Sequence, residues 1–160
     1  MRIGILAVGR MKQGAERELA GRYLERAAMS GKAVGLTGFS VVEAGESRAG
    51  GATTRKREEA RALRELVPRT GRLVVLDEHG LSMGSEAFAR RLAGWRDEGV
   101  PETVFAIGGA DGLDPDFVKE ADLILGFSQL TWPHQLVRIM LAEQLYRATT
   151  ILSGHPYHRE

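Results

Sequence analysis

The chain has 160 residues, of which 43% are hydrophobic and 27% charged, the composition of an ordinary globular protein. This length suits one domain with a real core, so we expect a single domain over residues 1–160. No apolar run reaches the ~20 residues that span a bilayer and no signal peptide is visible, so we expect a cytoplasmic protein without membrane contact. The net charge of +1 does not by itself predict nucleic-acid binding, and the lack of cysteine excludes disulfides and a cysteine nucleophile.

Five short apolar runs alternate along the chain with segments of helical spacing. The runs are strand-like and cover residues 3–8, 39–42, 73–76, 103–107 and 122–127. Helical spacing is set by Ala15, Leu19, Tyr23 and Ala27, by Leu63 with Val67, and by Phe88 with Leu92. The alternation predicts an α/β fold with a mainly parallel sheet flanked by helices, and continuously apolar strands predict a sheet covered on both faces.

Basic residues cluster in the segment that follows the second predicted strand. The cluster consists of Arg55, Lys56, Arg57, Arg61, Arg64, Arg69 and Arg72, partly offset by Glu58, Glu59 and Glu65. We interpret it as a solvated, salt-bridged helix face rather than an RNA-binding patch.

The last third of the chain predicts two further helices. Asp114 followed by Pro115 is typical of a short helix with an aspartate cap. A long helix over about residues 133–152 is apolar around nearly its whole circumference. Such a helix is not expected on the surface of a small monomer, so we expect a homodimer built around it. The alternative is a helix wholly buried in its own chain.

Three predicted strands end in loops that are suited to binding a ligand. Gly108, Gly109 and Gly112 follow the fourth strand but lack the spacing of a dinucleotide fingerprint or a phosphate-binding loop, and a tight turn is the plain alternative. Leu76 leads into Asp77 and Glu78 at the end of the third strand.

The loop after the fifth strand reads Phe127-Ser-Gln-Leu-Thr-Trp-Pro-His134. We expect Thr131 to cap the last helix, with Pro133 in its first turn. Ser128 and Gln129 are then predicted to face a pocket, and His134 is either a hydrogen-bond partner of a ligand or merely satisfies backbone groups.

The chain ends in His155-Pro-Tyr-His-Arg-Glu160, a ring-rich and polar segment. Chain ends are usually frayed. We expect this one to close over a substrate base, with Tyr157 stacking, Arg159 holding an oxyanion or phosphate, and His155 or His158 accepting a proton. The spacing of the two histidines lacks an accompanying acidic cluster, so we expect no metal.

These residues together resemble the RlmH family of 23S rRNA pseudouridine N3-methyltransferases, which belongs to the SPOUT class. The matching features are Leu-Asp at 76–77 with Gly80, Ile-Gly-Gly-x-x-Gly at 107–112, Ser-x-Leu-Thr-Trp-Pro-His at 128–134, Leu-Val-Arg at 136–138, Ala-Glu-Gln-Leu-Tyr-Arg-Ala at 142–148 and the terminal His-Pro-Tyr-His-Arg. The similarity extends over the whole chain and is most specific in its last third.

The resemblance implies a single SPOUT domain with a C-terminal deep trefoil knot, a homodimer, and S-adenosylmethionine (SAM) held largely by backbone atoms of three loops. The implied cofactor-binding residues are Leu76, Gly108, Gly109, Phe127, Ser128, Gln129, Leu130, Thr131 and Trp132. The implied substrate is N3 of a pseudouridine in helix 69 of 23S rRNA, on the assembled ribosome.

For this reaction we assign catalytic roles to the tail residues His155, Tyr157, His158 and Arg159, and substrate binding to His134 and Arg138. Removal of the N3 proton needs a base, and the charge that develops on the flanking carbonyls needs cations or N–H donors. The alternatives are a SPOUT enzyme that acts on another RNA or on a ribose, a noncatalytic ribosome-associated factor, and a nucleotide-binding oxidoreductase, which the missing glycine fingerprint disfavours.

Overall fold

A computed structural model describes residues 1–158 and contains one sheet of five parallel strands. The strands are β1 (Arg2–Val8), β2 (Thr37–Ala44), β3 (Arg72–Leu81), β4 (Glu102–Ile107) and β5 (Leu123–Leu125), in the spatial order β2-β1-β4-β3-β5. The α/β class and all five strands predicted from the sequence are therefore confirmed.

Four helices connect the strands, and a fifth follows β5. They are α1 (Ala15–Gly31), which a short 3-10 turn (Lys32–Val34) follows, α2 (Ala52–Leu66), α3 (Ser85–Asp97), α4 (Pro115–Val118) and α5 (His134–Ser153). Asp114 caps α4 as predicted, because its buried side chain accepts hydrogen bonds from the backbone N–H groups of Asp116 and Phe117 at 3.0 and 3.2 Å.

Apolar side chains cover both faces of the sheet. On one face, Ile5, Phe105 and Val74 pack against residues of α1, α3 and α5, including Leu92 and Leu145. On the other face, a second cluster joins strand residues to α2, α4 and the segment before α4; it contains Leu6, Val8, Ala60, Leu63, Leu73, Val75, Val104, Leu113 and Phe117. The two clusters explain why the strand sequences are apolar without alternation.

Helix α5 begins and packs differently from the expectation. Pro133 occupies the position before the first helical residue, and no side chain caps the helix. The predicted cap by Thr131 is wrong, because its hydroxyl donates instead to Glu78 Oε2 at 2.5 Å. Helices α1 and α3 cover much of α5 within the same chain, whereas Leu136 in its first turn is exposed.

The predicted fifth strand is too long at both ends. Asp122 precedes β5, where its carboxylate accepts from the backbone N–H of Leu73 at 2.8 Å and from Arg72 at 2.7 Å. Phe127 lies in the loop that follows. Asp122 thus binds the start of β3 through its side chain and is not itself part of β5.

Strand β3 leaves the sheet and returns to it around the end of β5. Leu76 and Leu81 both pair with Leu125, and the four residues between them form an excursion. Backbone meets backbone here: a Cβ atom added at Gly80 lies 2.6 Å from the carbonyl carbon of Leu125, and one added at Gly126 lies 2.8 Å from the oxygen of Gly80. Only glycine fits such an approach without displacing the chain. The trefoil knot itself stays a prediction.

Candidate active site

All strands are parallel, so their carboxyl ends share one edge of the sheet, and ligand sites of α/β proteins are found at this edge. Two of the three implied cofactor segments are the loops after β4 and β5, and the third is the excursion of β3 at residues 77–80, next to Leu76; these three strands are neighbours in the sheet. The excursion and the loop after β5 are joined by the hydrogen bond between Thr131 and Glu78. The fold therefore brings Leu76, Gly108 and Phe127, which are far apart in the sequence, to one edge.

The loop after β5 is held in shape by its own side chains. Ser128 Oγ accepts from the backbone N–H of Leu130 at 3.1 Å and from the indole Nε1 of Trp132 at 2.8 Å. The serine thus points into the loop, although the sequence predicted that it faces a pocket. Leu130 and Trp132 remain exposed, at 66% and 39%. The loop presents backbone and apolar surface to a ligand.

The glycine loop after β4 folds on itself and is tied to helix α2. The N–H of Gly112 donates to the carbonyl of Gly109 at 3.1 Å, and a Cβ atom at Gly108 lies 2.8 Å from the carbonyl carbon of Gly112. Arg55 donates two hydrogen bonds to the carboxylate of Asp111, at 2.6 and 3.0 Å, which lowers the pKa of Asp111. The glycine loop, which leaves no room for a side chain at Gly108, is thereby attached to α2.

Glu59 on α2 is a buried carboxylate that sequence reasoning treated only as an offset for nearby arginines. One of its oxygens accepts from the backbone N–H of Ser47 at 3.0 Å, and the other lies 3.5 Å from the position of a Cβ atom on Gly109. It therefore joins the loop after β2 to the glycine loop. A buried charge between loops is difficult to recognise from sequence when it sits in a run of exposed charges.

Arg138 is buried in internal contacts. Its guanidinium donates to the carbonyl oxygens of Val8 and Gly9, at 2.6 and 2.7 Å, and to Glu43 at 3.0 Å. Burial lowers the pKa of Arg138, and the Glu43 carboxylate opposes that shift. The structure places this residue where it fastens α5 to the end of β1, rather than in an open position for substrate. His134 lies half-buried one turn earlier.

A cavity of about 450 Å³ lies between α1, α3, α5 and the end of β5. Its wall includes Gly126 and Phe127 of the third loop, Ser85 at the start of α3, Tyr23 of α1 and Glu143 of α5. Since one wall is a candidate cofactor loop, this cavity is a candidate place for part of a ligand that the loops hold.

The tail turns back along α5, where it contacts Glu143 of the cavity wall. Tyr157 donates its hydroxyl to Glu143 Oε1 at 3.1 Å, its ring lies 4.6 Å from that of Tyr146, and the Arg147 guanidinium lies 4.9 Å from its ring centre. Burial, reinforced by the Glu143 carboxylate, raises the pKa of Tyr157 to about 12. The sequence suggested that Tyr157 stacks on substrate; in this chain its ring stacks on Tyr146.

The two tail histidines occupy different surroundings. His155 is exposed, and its Nδ1 accepts from the backbone N–H of Tyr157 at 3.2 Å. His158 is partly buried, with Nε2 3.8 Å from Glu86 Oε1 at the start of α3. His158 is therefore the histidine beside the cavity wall, and Arg159 lies outside the described residues.

Residues 1–158 contain no cluster of three or more histidine or acidic side chains arranged to hold a metal ion. Within the same residues, no helix combines the length and hydropathy that crossing a membrane requires.

The geometry defines a class: a parallel α/β protein with closely packed glycine-containing loops at the carboxyl edge of its sheet. A family model described as "Predicted SPOUT methyltransferase" matches residues 1–158. Proteins called ribosomal RNA large subunit methyltransferase H are 60% identical in Rhizobium meliloti (strain 1021) and 54% in Rhodopseudomonas palustris (strain BisA53), over 99% of both chains in each case. The chain therefore belongs to the SPOUT methyltransferase family, in the branch of these H-type ribosomal RNA enzymes, which confirms the resemblance and the enzyme class.

A solved structure supports the fold independently. The structure of a probable methylase family protein from Haemophilus influenzae Rd KW20 aligns with a TM-score of 0.53 at 10% identity, covering 99% of this chain and 70% of that one. At this identity the likeness concerns the fold alone, and it agrees with the α/β SPOUT architecture.

Proposed function

We propose that this methyltransferase uses SAM to methylate N3 of a pseudouridine in helix 69 of 23S rRNA, on assembled ribosomes in the cytoplasm. The observation that carries the proposal is the backbone-lined set of loops at Leu76, Gly108 and Phe127, joined to full-length identity with ribosomal RNA methyltransferases. The substrate nucleotide and the ribosomal context rest on the family resemblance.

The loops fit the cofactor. An adenosine group is recognised well by backbone N–H and carbonyl groups. Gly108 and Gly126 let the loops that would supply these groups pack closely, on Gly112 and on Gly80, because a Cβ atom at either position meets backbone atoms within 2.8 Å. The implied binding residues are Leu76, Gly108, Gly109, Phe127, Ser128, Gln129, Leu130, Thr131 and Trp132. When bound, SAM supplies a methyl group on a positively charged sulfur.

The protein must then handle one proton and one developing charge. In our proposal His158 accepts the N3 proton of the pseudouridine as the N3–methyl bond forms and the sulfur–methyl bond breaks, and the electron pair of that bond stays on sulfur. Its partly buried position, with Nε2 3.8 Å from Glu86 Oε1 at the start of α3, supports this choice over the exposed His155. Arg159 is assigned to the charge on the substrate carbonyls.

Tyr157 receives the role of anchoring this tail. Its bonds to Glu143 and its stacking on Tyr146 support that role, since they fix the residue next to His158. Arg138 and His134 were assigned to the substrate from sequence; the internal bonds of Arg138 support a structural role for it, and His134 remains a candidate substrate ligand at the start of α5.

We further propose that the enzyme is a homodimer whose contact lies on the β5 side of the carboxyl edge. Large exposed apolar side chains gather on the segments after β3 and β5 and at the start of α5: Leu81, Leu130, Trp132 and Leu136. Contiguous apolar surface of this kind marks protein contacts. Leu136→Glu is expected to produce monomers in analytical ultracentrifugation, whereas Met29→Glu, at an exposed residue on α1, leaves the dimer intact.

The reaction is tested with methyl-labelled SAM and ribosomes that contain or lack the helix 69 pseudouridines, followed by digestion of the RNA to nucleosides. We expect label in N3-methylpseudouridine only where pseudouridine is present. Label in a ribose, in another nucleoside or in ribosomes without pseudouridine contradicts the proposal.

The tail assignment is tested separately with His158→Ala, Arg159→Ala and His155→Ala in the same assay. We expect the first two to lose turnover while the affinity for SAM stays unchanged, and the third to retain it. Full turnover in both His158→Ala and Arg159→Ala removes the assignment.

A further inference from the structure

The carboxyl edge of the sheet has a second half, on the side of β1 and β2, whose loops form one connected surface. The backbone N–H of Met11, after β1, donates to Glu43 of β2 at 2.8 Å. Arg55 of α2 donates to the carbonyl of Ala49, after β2, at 3.0 Å, and to Asp111 of the glycine loop. These bonds place the loops after β1 and β2, the start of α2 and the glycine loop side by side.

Four cations on this surface, which we call the edge cations, are Arg10, Lys12, Arg48 and Lys56. The first three are exposed and Lys56 is partly exposed. None of them has a carboxylate within 4 Å among residues 1–158. Their charges are therefore available to a partner.

Many cations elsewhere are neutralised by the protein itself. The paired residues include Arg55 with Asp111, Arg64 with Glu120, Arg72 with Asp122, Arg90 with Glu86, Arg96 with Asp97, Lys119 with Asp116, Arg138 with Glu43 and Arg147 with Glu143. The sequence predicted that the run from Arg55 to Arg72 is salt-bridged; among the described residues this is correct for Arg55, Arg61, Arg64 and Arg72 but not for Lys56, Arg57 and Arg69. Unpaired cations occur on other surfaces as well, but the four edge cations lie on loops and a helix start that adjoin one another, on a chain whose net charge is only +1.

The acidic residues near the edge cations either contact other groups or lie at a helix N-terminus that offsets their negative charge. Glu46 lies against Gly9, and Glu58 accepts a hydrogen bond from the hydroxyl of Ser47. Glu16 and Glu18 stand in the first turn of α1, where the partial positive charge of the helix N-terminus offsets them. Lys56 adds a positive potential at Asp111, the acid that Arg55 already holds.

We propose that the edge cations bind the RNA phosphates that flank the target nucleotide. The inference rests on the proposed function, because it takes RNA as the partner. A polyanion that reaches the cofactor loops after β4, β3 and β5 passes next to the loops after β1 and β2, which belong to the same edge. Phosphate contacts position a nucleic acid without reading its sequence, and a few unpaired arginines and lysines suffice for that.

The test compares two variants with the same change in charge. The first replaces the edge cations (Arg10→Gln, Lys12→Gln, Arg48→Gln and Lys56→Gln), and the control replaces four exposed cations elsewhere (Arg22→Gln, Lys32→Gln, Arg69→Gln and Arg91→Gln). Binding of each protein to 70S ribosomes is measured over a range of salt concentrations, without turnover, and SAM affinity is measured by calorimetry.

We expect the edge variant to lose about three units from the slope of log Kd against log salt, and to bind ribosomes on the order of a hundredfold more weakly at low salt. The control variant keeps the wild-type slope, and both variants keep the wild-type affinity for SAM, which also shows that they are folded. Equal slopes for the edge variant and the control overturn the inference, as does wild-type binding without salt dependence. Failure of the proposed function is detected separately, in the methylation assay: the wild-type protein would then bind ribosomes but leave N3 of pseudouridine unmethylated.

Discussion

Arg138 Nη2 donates a hydrogen bond to the carbonyl oxygen of Val8 over 2.6 Å, joining the second turn of α5 to the last residue of β1. The same nitrogen reaches Gly9, and Nη1 reaches Glu43, so one planar side chain joins three parts of the carboxyl edge. Helix α5 follows directly on the third cofactor loop. The buried guanidinium therefore fixes where that loop ends.

Replacement of Arg138 by alanine is expected to lower the free energy of unfolding by about 3–5 kcal/mol, because the carbonyl groups of Val8 and Gly9 lose this buried donor and the partly buried Glu43 loses its cation. Arg138→Lys keeps a charge but lacks the fork of donors, so it is expected to recover only part of the loss. Denaturant unfolding measures both, with Arg69→Ala, at an exposed residue, as control. A loss below about 1 kcal/mol in Arg138→Ala contradicts the structural role.

Gly80→Ala is expected to lower the free energy of unfolding by about 1–3 kcal/mol and to weaken SAM binding, because the new Cβ meets backbone atoms of Leu125 and Gly126 that cannot rotate away. Gly45→Ala is the matched control, since nothing lies within 4 Å of its Cβ position. The SAM affinity, measured by calorimetry, and the free energy of unfolding, measured with denaturant, are compared between the two variants. If Gly80→Ala keeps the wild-type unfolding free energy and SAM affinity, the backbone can shift at this contact and the prediction is wrong.

Asp111→Asn is expected to weaken SAM binding by about threefold while leaving the free energy of unfolding nearly unchanged. The partly exposed pair with Arg55 contributes little to stability, but it holds the glycine loop in place. Asp116→Asn breaks a comparable pair with Lys119 on α4, away from that loop, and is expected to leave SAM affinity unaltered. Equal effects of the two substitutions on SAM affinity argue against a loop-holding role for Arg55.

Tyr157 makes the docking of the tail sensitive to alkaline pH. Its pKa is raised from 10.0 to about 12, so the neutral hydroxyl is the form that the folded protein favours. The stability that it contributes is fully present below pH 10, declines above that value and is lost as pH rises through about 12. The difference in unfolding free energy between wild type and Tyr157→Phe is expected to shrink over that interval. A difference independent of pH shows that the hydroxyl is not buried against Glu143.

Much of the fold follows from local patterns, and the site follows only in part. The β-strands and the Asp114 cap depend on near neighbours in the chain, which periodicity and capping rules describe. The bond from Thr131 to Glu78 and the internal bonds of Arg138 join residues far apart in the chain. In the sequence, Thr131 before a helix looks like a helix cap, and Arg138 within a helix looks like a ligand-binding residue. Only the tertiary structure shows that Thr131 bonds to Glu78 and Arg138 to Val8.

The excursion of β3 around Leu125 also governs the order of events when the chain folds. Strand β5 has three residues and only one neighbouring strand, so little holds it until residues 77–80 close around its end. Those residues in turn gain their packing only once β5 is present. Pairing between segments so distant in the chain is slow compared with helix formation. We therefore expect residues 77–80 to close around Leu125 late in folding, so that a newly folding molecule becomes able to hold its cofactor only after that step.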